Sequence, residues 1–207
     1  MRLICFWKHN LTQKGGRSLP LFLSRTQVIL TSGLIPRATL ETRGAAVAYN
    51  DQYRIDEQRS ANCLSIGHPN YKMFYSLRCQ SLNQAWVVVA FKPEILWLKN
   101  CAFCHENAAS SNVTAIPIQL RKGVAAFERM FAPVAGKPDR AALKLPNDCP
   151  TNPQAEVLVF DTIDPQYIEG VITPDKQTEQ ALKAKYPNFN FLYHQAFYSP
   201  RLDYEHW

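Results

Sequence analysis

Ala85-Trp-Val-Val-Val-Ala-Phe91 is apolar at every position and rich in β-branched and aromatic side chains. That pattern predicts a strand covered on both faces, and so one central in its sheet. Glu156-Val-Leu-Val-Phe160 predicts a second buried strand, headed by one carboxylate. Val171-Ile-Thr173 gives a third, and the alternation over Phe189–Tyr193 a last. Cys63-Leu-Ser-Ile66 is strand-like and runs into a turn at Gly67-His-Pro69, while Tyr71–Leu77 fits either strand or helix. Thr26 to Leu34 reads as a short helix, stopped by Gly33 and then Pro36. Pro93–Trp97 reads as a helical turn and Gly123–Phe131 as a helix. Asp164-Pro165 opens a short helix with a cap and a proline at its first position. Thr173-Pro-Asp175 caps another that runs to about Lys185. Glu41–Ser60 is polar without a period, and Ile118–Asn152 is basic and loop-rich, ending in the proline-studded turn Pro146–Pro153. The pattern predicts one α+β domain with its strands concentrated in the second half.

Composition narrows the class. The 207 residues are 46% apolar and 19% charged, enough for a real core and too apolar for disorder. The net charge of +6 favours polyanionic partners, nucleic acid or a phosphorylated cofactor. The apolar run in Met1-Arg-Leu-Ile-Cys-Phe-Trp-Lys8 is too short for a signal peptide or a membrane span. A soluble, cytoplasmic protein with reduced cysteines is the expectation.

Three places could carry chemistry. Cys101-Ala-Phe-Cys-His105 has the spacing of c-type haem attachment, and its Cys-x-x-Cys that of zinc or redox sites. Haem attachment belongs to exported proteins, and zinc needs about four ligands. The other cysteines, Cys5, Cys63, Cys79 and Cys149, are scattered singly, so Cys101 and Cys104 read as small buried hydrophobes and no metal is expected. Glu156 is the residue at odds with its surroundings: a carboxylate at the mouth of a buried strand is costly unless paired or functional. Gln154, two positions earlier, shares its face by strand alternation, so the two can project together into one cleft. A solvated strand-end glutamate is the plain alternative. The third place is Tyr49-Asn-Asp-Gln-Tyr-Arg-Ile-Asp56, where Arg54 has the planar fork that suits a pyrophosphate, or simply belongs to a charged loop. The basic stretch from Arg121 to Lys144 is either a nucleic-acid surface or a solvated face. No glycine-rich phosphate loop or nucleophile elbow occurs, and the five histidines are dispersed.

Four segments in order resemble the DarT family, DNA ADP-ribosyltransferase toxins of bacterial toxin–antitoxin pairs. They are Ile29-Leu-Thr-Ser-Gly-Leu-Ile-Pro-Arg37, Asn50-Asp-Gln-Tyr-Arg-Ile-Asp56, Leu64-Ser-Ile66 with Pro69-Asn-Tyr-Lys-Met-Phe74, and Gln154-Ala-Glu-Val-Leu-Val-Phe160. The resemblance runs from about residue 26 to 198. It implies an ADP-ribosyltransferase fold, a split and mainly antiparallel sheet with flanking helices that holds NAD between its halves. The activity it implies is transfer of ADP-ribose from NAD to a base of single-stranded DNA. Pro69–Phe74 and Cys101–Cys104 are closer to the guanine-modifying branch than to the thymine-modifying one. Carried over, Glu156 is the catalytic glutamate, and Arg54 holds the NAD phosphates or braces Glu156, with Asp56 positioning it. Gly33 and Leu34 line the cofactor side, and Gln154 orients the substrate. Arg140 and Lys144, on a recognition loop over Lys137–Pro153, meet DNA phosphates together with Lys72. Tyr71, Phe74 or Tyr75 stacks a splayed base. The implied partner is a DarG-like macrodomain antitoxin, with no membrane and no metal involved.

One departure stands out. The family opens with a segment like Leu-Tyr-His-Phe-Thr, whose histidine grips the adenosine-side ribose, where this chain reads Ser18-Leu-Pro-Leu-Phe-Leu23. Suitable codons for Ser18–Leu21 read one base later give Leu-Tyr-His-Phe. Residues 1–25 are therefore expected to be an atypical segment, frameshifted or disordered, before a single domain over 26–207. The alternative to an active enzyme is a remnant defective in NAD binding that still binds DNA or antitoxin. Action on RNA or protein is a smaller third reading.

Overall fold

The computed structural model describes residues 1–9, 25–43, 58–80 and 85–207. Seven strands form one sheet in the order β4-β5-β2-β1-β3-β6-β7. They are β1 Leu3–His9, β2 Asn62–Ile66, β3 Ala85–Phe91, β4 Cys101–Cys104, β5 Glu156–Val159, β6 Ile168–Thr173 and β7 Phe191–Tyr193. All neighbouring strands run antiparallel except β6 and β7. The helices are α1 Arg25–Ser32, α2 Arg37–Thr42, α3 Tyr71–Cys79, α4 Ile95–Leu98, α5 Ser111–Thr114, α6 Val124–Arg129 and α7 Lys176–Lys185. This is the mixed, mainly antiparallel architecture expected from the resemblance, and no described helix is long and apolar enough to cross a membrane.

The sheet is split. β1 pairs along its whole length with β3, from Leu3↔Phe91 to His9↔Ala85, but shares only Leu3↔Ile66 and Ile4↔Ser65 with β2. From there β2 turns to β5 through Leu64↔Val157 and Asn62↔Val159. Two half-sheets, β4-β5-β2 and β1-β3-β6-β7, are thus joined at two rungs and part beyond them.

The structure corrects the expectation that the strands gather in the second half. Leu3–His9, the beginning of the segment read as atypical, lies at the middle of the sheet, and residues 10–24 lie outside the described residues. The five-residue apolar run gave a weak strand signal, because its identity is fixed by pairing with a strand some 80 residues away. Tyr71–Leu77, ambiguous by pattern, is helical in α3. Asn70 decides it by capping: its side chain accepts from the Met73 N–H.

β3 buries every residue from Trp86 to Phe91, the physical content of its unbroken apolar run. One face of the sheet packs Val87, Val89 and Phe91 against Ile29, Leu30, Leu34, Met130 and Leu182. On the other, Phe74 of α3 meets Trp86 edge-on at 5.7 Å, with Val88, Ala90 and Ile172 alongside. α1 ends at Ser32, two residues before the expected Leu34, with Gly33 as its stop. Gly33 has φ +80°, and a Cβ there would stand 2.2 Å from the Ile163 carbonyl oxygen. Leu34 then exchanges both backbone hydrogen bonds with Ile163, at 2.9 and 3.0 Å.

Candidate active site

Glu156 opens β5 and is 5% exposed. Its cross-strand partner is Cys104 at the end of β4, and the Leu64↔Val157 pair sets it level with Ser65, where the half-sheets part. Burial of a carboxylate in such a place requires donors. One is the Ala108 N–H, 2.8 Å from Oε2, a charge-assisted bond of the strong kind. The turn that offers this amide is itself pinned: the Asn107 side chain accepts from the Ala109 N–H at 2.9 Å, and the Ser110 hydroxyl bonds Glu106. The stretch after the Cys-x-x-Cys therefore holds the carboxylate in place.

Strand geometry settles the two cysteines. Residues three apart on a strand face opposite sides. Cys101 packs with Phe103 in the core that contains β3, whereas Cys104 joins Ala102, Ala108 and Leu158 on the other face. Burial, with Asp161 adding to it, pushes the Cys101 thiol up to about 12. Its Sγ donates to the Ile95 carbonyl at 3.4 Å. The two sulfurs cannot share a metal, and among the described residues no group of histidine, cysteine and acidic side chains is placed to hold one. On the face of Cys104, Arg121 is 6% exposed with Nη1 3.9 Å from Cys104 Sγ, a buried cation that the sequence had placed on a basic loop.

Gln154 precedes β5 but is not on it. Asn152–Ala155 is a turn, closed by Ala155 N–H to Asn152 O at 3.1 Å and by Gln154 N–H to the Asn152 side chain at 2.9 Å. Strand alternation therefore does not put Gln154 on the face of Glu156; the turn sets its direction. Gly33 and Leu34 have a fold role in their contacts: both Leu34 backbone groups are used by Ile163, and its carbonyl also accepts from Asn62 Nδ2 at 3.1 Å. Arg54 and Asp56 lie outside the described residues.

The residues expected to meet DNA divide into two groups. Tyr71, Lys72, Phe74, Tyr75 and Arg78 of α3 line a groove of about 660 Å³ closed by Tyr198, Ser199 and Pro200. Tyr75 is 64% exposed and offers an open ring face, while Phe74 is fully buried and is a core residue. That removes Phe74 from the stacking candidates. Burial, reinforced by Asp203, raises the Tyr71 hydroxyl above its usual range. Arg78 donates to the Tyr198 carbonyl at 2.7 Å and stacks over Phe74 at 4.8 Å. In the second group, Arg140 is committed inward: it donates to Thr151 Oγ1 at 3.0 Å and the Pro146 carbonyl at 2.9 Å. Desolvation lowers its pKa. Lys144 is exposed and sits at φ 51°.

A family model described as "ssDNA thymidine ADP-ribosyltransferase, DarT" matches residues 24–199. Among solved structures, Thermosipho africanus DarTG in complex with ADP-ribose superposes with a TM-score of 0.60 at 18% identity, over 95% of this chain and 50% of that one. The chain thus spans half the length of that relative. Thermus sp. 2.9 DarT in complex with NAD+ gives a TM-score of 0.51 at 11% identity, over 96% and 97% of the two chains. Comparison with curated protein sequences gives no match.

Proposed function

Since the chain belongs to the DarT family of single-stranded-DNA ADP-ribosyltransferases, we propose that it transfers ADP-ribose from NAD to a base of single-stranded DNA and releases nicotinamide. The observation that carries this reading is Glu156, a carboxylate buried at the head of β5 and bonded by the Ala108 amide where the sheet splits. As the bond between ribose C1′ and the nicotinamide nitrogen breaks, its electrons leave with nicotinamide and positive charge grows on the sugar. A fixed carboxylate in a water-poor site stabilises that charge without reorganising. The attacking base nitrogen then forms the new bond to C1′ and gives its proton to Glu156 or to solvent. On the resemblance, Arg54 clamps the NAD phosphates or braces Glu156, Asp56 positions Arg54, and Gly33 and Leu34 line the proposed cofactor side.

The DNA strand is assigned to the α3 groove and the exposed part of the 137–153 loop. Tyr75 supplies a stacking face, with Tyr71 beside it, and Lys72 and Lys144 supply charge. Gln154, in the turn before Glu156, is proposed on the resemblance to orient the base. Arg140 is better read as a brace of the loop, since its donors are used internally. For the base itself, guanine is the reading proposed from Pro69–Phe74 and Cys101–Cys104, against the thymidine in the family's description. A macrodomain partner that removes the mark is proposed on the same resemblance, with a toxin–antitoxin role.

The test is incubation with labelled NAD and a mixed-sequence single-stranded oligonucleotide, with Glu156→Ala alongside. Label on DNA from the wild type and not from the variant is expected, and digestion of the product identifies the base. Absence of label together with absence of thermal protection by NAD would establish the remnant reading instead. A thymidine adduct would remove the guanine assignment and leave the rest.

A further inference from the structure

From Phe131 to Ala155 the chain has no helix or strand. Structureless runs of more than about 15 residues are uncommon inside a compact domain, because ordering each residue costs backbone entropy. Yet this run ends at Glu156, whose position must be fixed. The Ala108 amide holds the carboxylate itself, and what fixes the run that leads to it comes from 50 residues downstream.

Arg201 is 7% exposed and uses both edges of its guanidinium. One edge meets Asp203 as a fork, Nε to Oδ1 and Nη2 to Oδ2, each at 2.6 Å. The other holds the loop: Nη1 donates to the Pro150 carbonyl at 2.8 Å and Nη2 to the Thr151 carbonyl at 2.7 Å. Asp203 is steadied in turn by Trp207 Nε1 at 2.7 Å. The same segment reaches the start of the loop, where Lys137 Nζ donates to the His206 carbonyl and lies 5.2 Å from the centre of the Trp207 ring. Thr151 is also bonded by its N–H to the Met130 carbonyl at 2.9 Å and by its hydroxyl to Arg140. Only the tight turn Asn152–Ala155 separates it from Glu156, so a shift at Thr151 has little slack in which to be absorbed.

A buried ion pair is by itself weak evidence for stability, since apolar replacements often serve as well. The bonding pattern here is specific in a way an apolar residue or a lysine cannot copy, because it needs a planar fork with donors on two edges. We propose that Arg201, Asp203 and Trp207 form a clasp that closes both ends of the 137–155 loop and thereby sets the aim of Glu156. Arg201 is its positioning residue. This rests on the ADP-ribosyl-transfer reading for its catalytic consequence, but not for its structural one.

The experiment compares the full-length wild type with Arg201→Met, Arg201→Lys and the milder Trp207→Phe, well below their unfolding midpoints. Amide hydrogen exchange is expected to be at least about tenfold faster around Thr151 in Arg201→Met, with β3 unchanged, because only local opening is made easier. The turnover of DNA labelling is expected to fall about 100-fold, the scale of an ångström of misplacement, at an unchanged KM for NAD. Arg201→Lys, which keeps the charge, should recover part of it, and Trp207→Phe should show the same pattern in smaller measure. Should Arg201→Met fail to fold, Trp207→Phe and Arg201→Lys decide. Unchanged loop exchange, or a lowered Tm with full turnover in the folded protein, would overturn the clasp. If the wild type itself labels no DNA, the activity reading fails alone, and the exchange measurement still decides whether the clasp holds the loop.

Discussion

Glu156 and Asp203 are both buried carboxylates, and their surroundings give them different work. Glu156 accepts from the Ala108 amide at the edge of the cleft. Glu156→Gln keeps an oxygen for that amide and removes the charge, so the fold is expected to persist while DNA labelling drops about 10²–10⁴-fold, the usual worth of a positioned acid–base group. Circular dichroism and the labelling assay on one preparation check both halves, and full labelling by the variant would remove Glu156 from the chemistry. Asp203 is pushed up by burial but pulled down further by the hydrogen bonds and charge of Arg201 and by Trp207, ending below the ordinary carboxylate range. Its folded form therefore binds a proton less readily than the unfolded chain, whose value is about 3.9. The stability it contributes is present above that value and is lost as pH falls through the lowered folded one. Urea midpoints measured from pH 6 to pH 2 should fall at the acid end for the wild type. Asp203→Asn should lose roughly 3–5 kcal/mol at neutral pH, because Arg201 is left buried without its anion, and its midpoint should depend less on pH.

At the level of elements, the glycine that ends α1 is the clearest single lever. Gly33→Ala would force a Cβ into a left-handed residue and against the Ile163 carbonyl. A loss of more than about 1 kcal/mol is expected, since strain and clash add. Chemical denaturation measures it, and a neutral result would mean that the Leu34–Ile163 bridge moves freely. This turn was legible because glycine after a helical period is a local signal, as were the all-apolar β3 and the carboxylate heading β5. Elements fixed by distant partners were not. β1 owes its place to β3, and the irregular run before Glu156 owes its shape to Arg201, which no spacing in the sequence connects to Pro150 and Thr151. Cys101–Cys104 shows the converse: a spacing that attracts attention as a motif reads correctly as two buried hydrophobes, and on a strand they are thiols on opposite faces. Gln154 was misplaced for a related reason, because the period of two holds only on extended chain and Asn152 folds it into a turn.

At the scale of the molecule, the net charge of +6 would make the proposed single-stranded DNA binding a matter of counterion release as well as contact. The logarithm of the binding constant should fall linearly with the logarithm of salt concentration, by about 0.7 for each phosphate neutralised. Lys144 gives a clean way to count one of them. It is exposed, and its φ of 51° is a conformation that a side chain disfavours. Lys144→Gly removes the charge and suits the backbone at once, so stability should hold or rise while affinity falls. If Lys144 meets a phosphate, the salt slope shrinks by about 0.7 and labelling weakens through KM for DNA rather than through turnover. A slope equal to that of the wild type would take Lys144 off the DNA path. The strand would then be carried by Lys72 and the open ring of Tyr75, on the α3 side of the split sheet.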